Sequence, residues 1–405
     1  MIGGTLAIIG GHLPDGRDGG VLVEAGRITA TGAIAVPDGV RTIDAAGAVI
    51  APGIVDLGVF AIDKTAFAAG GITRAALMPD QGPPLDDPAL IQRAAAVGKP
   101  DVWIHPIAAA TRGLGGTELA EIGLMQAAGA AAVATGRHWI ADSGLMHRLL
   151  AYAAAMDLTV IVHSEDDRLV GRAVATSGET ATRLGLPSAP AAAEAIAVAR
   201  DLALVEETGA RVHFRQVTTA RGLELIRAAK RAGLPVTAGI TPAHLLLSDI
   251  AITGFRTFAR LSPPLRCEED RQAALAAVAD GTIDVIASGH DPQGPEDKRL
   301  PFADATPGMA GAGTLLTLAL TLVRDRLVDM TRLFDLLAAN PARILGVEGG
   351  TLTPGAPGDL ILFDPETPWR IESETLAGAA GNTPFDGLPV QGRLSGIIKG
   401  GQPIG

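Results

Sequence analysis

Cysteine is almost missing from this sequence. Cys267 stands alone among 405 residues, which excludes an intrachain disulfide framework and a zinc site built on thiolates. Aromatic residues make up only 3%, with a single tyrosine, Tyr152, so the core has to be assembled from Ala, Val, Leu and Ile. Basic residues are outnumbered, 33 Lys and Arg against 44 Asp and Glu, for a net charge of −11. Nucleic acid is therefore not an expected partner, because phosphate binding needs clustered cations. No run approaches the roughly 20 apolar residues of a membrane span; the stretch from Met309 to Val323 is short and glycine-broken, and reads as a buried helix. The opening MIGGTLAIIGGHLPDG has no basic leader and only a short apolar run, so no signal peptide and no membrane association are expected. A cytoplasmic protein is the default expectation.

What is present is a globular composition, 47% apolar and 19% charged, in a chain long enough for one large domain and a smaller one. Short strand patterns punctuated by glycine fill both ends: TLAIIGGHL, GGVLVEAGRITATG with Ala-Gly at a hairpin turn, and RTIDAAGAVIAPG at the start, GDLILFDPE, PWRIE and GRLSGIIKGGQPI at the finish. The middle alternates. Strand runs GIVDLGVF, ITRAALMP, VWIHPIAA, AAVATG, TVIVHSED, RVHFRQVT, PVTAGITP and DVIASGHD are separated by helical runs, several of which stop at glycine. Eight such repeats predict an α/β fold, a (β/α)8 TIM-type barrel over residues 52–346. Residues 1–51 and 347–405 are expected to form a small composite β-sandwich domain. Chemistry in such a barrel belongs to the carboxyl ends of the strands.

Read in order, APGIVDL, AAGGITRAALMPD, IVHSEDDRL, ITPAHLLLSD, LSPPLRCEEDRQAAL, IASGHDP, NPARILG, GDLILFDP and NTPFDG resemble the dihydroorotases of the amidohydrolase superfamily. The resemblance runs from the first barrel strand to the C-terminus, and NTPFDG favours dihydroorotase over hydantoinase or allantoinase. It implies zinc at the strand ends, a metal-activated water that attacks a ring amide, and an aspartate that moves the proton.

The ligands that the resemblance implies are mostly replaced. The His-x-His of the first strand is Gly58 and Phe60, and the arginine expected after it is absent. Arg137 and His138 stand where a carboxylate bridges the metals. His163 matches a ligand. Gln216 fills another ligand position, Ser262 replaces an asparagine, and Gly289 replaces the catalytic aspartate; His290 remains beside it and Gln293 replaces a later histidine. One imidazole cannot hold a catalytic zinc, which needs about three protein ligands. Gln216 is a poor ligand, and His213, three residues earlier on the strand, points to the opposite face. The emptied pocket is expected to contain Asp56, Gly58, Phe60, His138, His163, Gln216, Ser262, Gly289 and His290. Arg137 and His138 are expected to be neutralised by Glu165 or Asp166, Asp56 to accept backbone hydrogen bonds, His244 to pack or hydrogen-bond at its strand end, Arg266 to fix its loop, and Cys267 to be inert.

The family also contains inactive homologues that assemble with aspartate carbamoyltransferase. The resemblance therefore implies a pseudoenzyme without cofactor, a homo-oligomer, and aspartate carbamoyltransferase as structural partner. Two alternatives stay open. One is an active amidohydrolase with zinc held by His163, His290 and Asp291. The other is a barrel that binds a pyrimidine precursor as a sensor.

Overall fold

A computed structural model describes residues 4–404. Eight parallel strands form the barrel: Ile54–Val59, Ile72–Leu77, Trp103–Ala109, Ala132–Ala134, Val160–Val162, Val212–Phe214, Val236–Ile240 and Val285–Ile286. Each lies within one of the eight runs marked in the sequence. Alternation sets the faces of the strands. Val160, Val162, Val212 and Phe214 pack outward against the helices. Ile161, Ala132, Ala134, Leu57 and Val285 fill the interior.

Both ends of the chain join one mixed eight-stranded sheet, in which Val49–Pro52 pairs with Leu360–Phe363. The sheet curls so that Ile8, Val21 and Val23 pack against Leu360 and Ile398. Ala25 and Gly26 make the hairpin turn between Asp18–Glu24 and Arg27–Gly32, both at positive φ, as a two-residue connection between twisted strands requires. Lys399 and Arg74 share the carboxylate of Asp359 at 2.5 and 2.9 Å, which fastens this sheet to the second barrel strand in a buried ion cluster. The run from Met309 becomes a turn at Ala312–Thr314 and a largely buried helix, Leu315–Arg324.

No ladder joins the last barrel strand to the first. Side chains and a single backbone bond close the seam instead. Ser288 N–H donates to Asp56 Oδ1 at 2.9 Å, the Ser288 hydroxyl donates to Oδ2, and Phe60 N–H donates to the His290 carbonyl at 2.8 Å. Burial pushes the Asp56 carboxyl up to about 6, against the two Ser288 bonds that pull it down. Its folded pKa lies above the unfolded value, so its contribution to stability is complete below about pH 4 and is lost as pH rises through about 6. Asp56→Ala is expected to cost about 2–4 kcal/mol in urea unfolding at neutral pH, since it strands two buried donors; a cost under about 0.5 kcal/mol would mean that the seam closes without it.

Candidate functional site at the barrel mouth

A β-bulge organises the first strand. Its register against the second strand slips between Leu57 and Val59, and Gly58 sits in the bulge at φ +120°. The extra residue switches faces. Leu57 points inward, yet so do Gly58 and Phe60, while Asp56 is left facing the seam. Asp56 therefore does not line the mouth, contrary to the sequence expectation. His290 also departs from the expected set, here by simple alternation. Beyond the end of the eighth strand Gly289 and Asp291 face the cavity, and His290 faces the first helix, Lys64–Gly70. There its ring meets Phe67 edge-on with centroids 5.7 Å apart, and its Nδ1 accepts from Ala312 N–H at 3.3 Å. Burial holds the imidazole down at about 4, so it is neutral.

The centre of the mouth is taken by a residue that the sequence reading passed over. Arg215 follows His213 by two, so both point into the barrel. The Arg215 side chain lies across the space in front of Gly58; a Cβ on Gly58 would stand 3.7 Å from Arg215 Cδ. The guanidinium lies 5.1 Å from the centre of the Phe60 ring, and Nη2 meets His163 Nδ1 at 3.2 Å. Since guanidinium only donates, His163 accepts there and is neutral at that nitrogen. Burial, reinforced by Arg215, holds the His163 pKa well below its usual value. Burial also lowers Arg215, to about 10, so it stays charged at neutral pH.

Around this pair stand Arg137, Gln216, Ser262, Gly289 and Asp291. Arg137 packs on Phe60 at 3.8 Å and donates to Asp291 Oδ2 at 2.6 Å. Its backbone N–H donates to Asp80 Oδ1 at 2.9 Å. The acids that neutralise this region are thus Asp291 and Asp80 for Arg137 and Asp167 for His138 (3.2 Å), not Glu165 or Asp166. Glu165 is directed instead to Arg266, and Asp166 caps a short helix. His138 is 71% exposed at its side chain and lies outside the cavity, another departure from the expected set. Gly289, at φ +59°, sits where a side chain is strained, and a Cβ there would stand 3.0 Å from Thr241 Cγ2 and 3.3 Å from Met309 Cε, close enough that both side chains would have to give.

Behind the mouth, His213 is fully buried and bonds Thr237 Oγ1 at 2.9 Å. His244 is fixed between Thr241 Oγ1 and the Pro263 carbonyl. Arg266 donates to Glu165, Thr218 and Thr176 within a buried network that also holds Glu194. The NTPFDG segment folds over the eighth strand's loop, where Asn382 accepts from Gln293 N–H and donates to the Gly308 carbonyl, each at 3.0 Å. The remaining cavity has a volume of about 30 Å³, room for about one water.

The donor set does not fit a catalytic zinc. Among the described residues no three His, Cys, Asp or Glu side chains converge as metal ligands. His163 already accepts from a cation, and Asp291 is engaged by Arg137. His163, His290 and Asp291, the trio considered from the sequence, face different partners.

A parallel eight-stranded barrel with polar residues gathered at its carboxyl end, fused to a sheet drawn from both chain ends, defines the amidohydrolase type of α/β barrel. The chain belongs to the amidohydrolase family, whose model matches residues 65–404. It is 38% identical over an alignment 422 positions long to a dihydroorotase of Geobacter metallireducens, covering 99% of each chain. It is 41% identical over 395 residues to a "dihydroorotase-like protein" of Pseudomonas aeruginosa, covering 93% of this chain and 92% of that one. An L-hydantoinase structure from Arthrobacter aurescens superposes with a TM-score of 0.87 at 24% identity over 98% of this chain and 95% of the other, a likeness of fold. Among the described residues no helix is long and apolar enough to cross a membrane.

Proposed function

We propose that this chain is a dihydroorotase-like protein of pyrimidine metabolism that does not interconvert carbamoyl-aspartate and dihydroorotate, and that it serves as a structural partner of aspartate carbamoyltransferase. One observation carries the first half: Arg215 lies in the space that a ligand at position 58 would have to enter, with His163 bonded to it. A cation fixed at the metal's place repels a metal, and Gly289 carries no group to move a proton. The cavity of about 30 Å³ is also far below the roughly 300 Å³ at which small-molecule pockets begin. The second half rests on the resemblance: a fold kept without its chemistry is kept for its surface, and an oligomeric assembly with the preceding enzyme of the route is the use that resemblance implies.

Two measurements test it. The pure protein, supplied with zinc, manganese or cobalt, is assayed in both directions; no turnover above blank is expected, and metal-dependent turnover sinks the reading. The protein is then co-expressed with aspartate carbamoyltransferase from the same organism and sized by light scattering. A stoichiometric complex is expected; separate elution of the two proteins at micromolar concentration overturns the partnership.

A further inference from the structure

The barrel mouth holds more buried positive charge than its carboxylates are placed to neutralise directly. Arg137 engages Asp80 and Asp291, and Arg266 engages Glu165 and Glu194. Three other cations have no carboxylate within 4.0 Å among the described residues: Arg215, Arg260 and Lys298. Lys298 Nζ donates only to the carbonyls of Thr257, Arg260 and Thr306, with Asp297 and Asp291 acting on it from further away. Arg260 donates from Nη1 to the Leu261 carbonyl, and its Nε is buried without a partner. Arg215 is 6% exposed, and its Nε too is buried and unpartnered. The Gln216 amide beside it also has a buried atom without a partner, and the amide can turn either its oxygen or its NH2 to the same space. Asp80, Asp291 and Glu165 act on Arg215 only from further away; a buried guanidinium with no carboxylate in direct contact is costly, and the chain as a whole carries −11, so this positive spot is local.

We propose that the barrel mouth is a binding site for a small monovalent anion, a halide or the carboxylate of a formate-sized ligand, held by Arg215 where metal-dependent members of the family hold a cation. The site's charge has been inverted. The cavity next to Arg215, with its volume of about 30 Å³, matches one ion of about the size of a water. Ser262 can donate its hydroxyl from the wall. Asp80 Oδ2 is also buried without a partner; it sits behind Arg137 and off the cavity lining, so it neither fills the site nor closes it. This inference rests on the reading above that no metal is held at His163.

The test uses bromide as the probe. Crystals of the full chain grown in sodium bromide are measured at the bromine absorption edge, and an anomalous peak is expected against the Arg215 guanidinium. In parallel, Tm is followed at fixed ionic strength while gluconate is replaced by chloride, bromide or formate. A saturable rise is expected for the wild type and its loss in Arg215→Met, a change that keeps length and removes charge. A rise with formate alone assigns the site to carboxylates, and a rise with halides alone to inorganic anions. No peak at Arg215, together with equal responses from both proteins, overturns the proposal. If Arg215→Met does not fold, the crystal measurement on the unaltered chain decides alone. Zinc content and turnover of the same preparation separate the two readings: zinc bound at His163 overturns both, whereas no zinc and no bromide overturns only the anion site.

Discussion

The double variant Gly58→His, Phe60→His is expected to bind less than roughly 0.1 zinc per chain and to remain without dihydroorotase activity, although it rewrites the pair of imidazoles that the resemblance places there. Three obstacles act together. Position 58 lies in a bulge at φ +120°, where a side chain costs about 1–3 kcal/mol. The new imidazole would meet Arg215, whose Cδ already lies 3.7 Å from the place of its Cβ, and that arginine would repel the metal. Gly289 would still supply no proton shuttle, a loss worth roughly 10²–10⁴ in rate by itself. Metal content by atomic absorption and turnover with added zinc check this. Stoichiometric zinc in the double variant would show that Arg215 swings away freely and that the mouth is not fixed. Removing Arg215 as well is expected to admit metal before it admits activity.

Arg266→Ala is expected to have the largest effect on stability, about 3–5 kcal/mol at neutral pH. The guanidinium is 3% exposed and ties Glu165, at 2.6 Å, to Thr218 and Thr176, at 2.8 and 3.1 Å. Glu194 behind it is fully buried, and accepts from the backbone N–H and hydroxyl groups of Thr218 and Thr219. Without the arginine, two carboxylates stay buried with no cation in direct contact. Burial already holds Glu165 above its usual range, with Arg266 pulling it down. Deleting Arg266 raises it further. A carboxyl whose folded pKa exceeds its unfolded pKa gives stability below the unfolded pKa, near 4.5, and loses it as pH rises through the folded value. Urea unfolding should therefore show a variant that recovers part of its loss between pH 7 and pH 5. A loss that is independent of pH would place the damage in packing instead of in charge.

The barrel was legible because its signal repeats: eight apolar runs, each followed by a helical run, and each run contains a strand. The identity of the missing ligands was legible too, since Gly58, Phe60, Gln216 and Gly289 stand in aligned motifs. What those motifs could not convey was which face each residue takes. Alternation fails at a bulge: Asp56 keeps the face opposite Val55 and Leu57, and the bulge at Gly58 turns Gly58 and Phe60 away from it; His290 is turned to Phe67 by simple alternation from Gly289, which the motif GHDP does not display. Arg215 carries no motif of its own, since an arginine is not a metal ligand. Its even spacing from His213 was the available signal, and it marked a cation on the inward face of a strand that should carry a ligand. The partners of Arg137 and His138 were beyond reach, because Asp80 and Asp291 come from two separate loops and Asp167 from the start of a short helix.

The sheet built from both chain ends also fixes a schedule. Val49–Pro52 is hydrogen-bonded to Leu360–Phe363, roughly 310 residues later. At about 5–20 residues per second of synthesis, the early strand waits on the order of 15–60 s for its neighbour. Through that interval its apolar edge has no ladder partner on that side, and such edges invite pairing with other chains. The nascent protein thus has a window of vulnerability set by topology and independent of final stability. Slower translation lengthens it, and a chaperone that masks residues 49–52 would shorten its consequences.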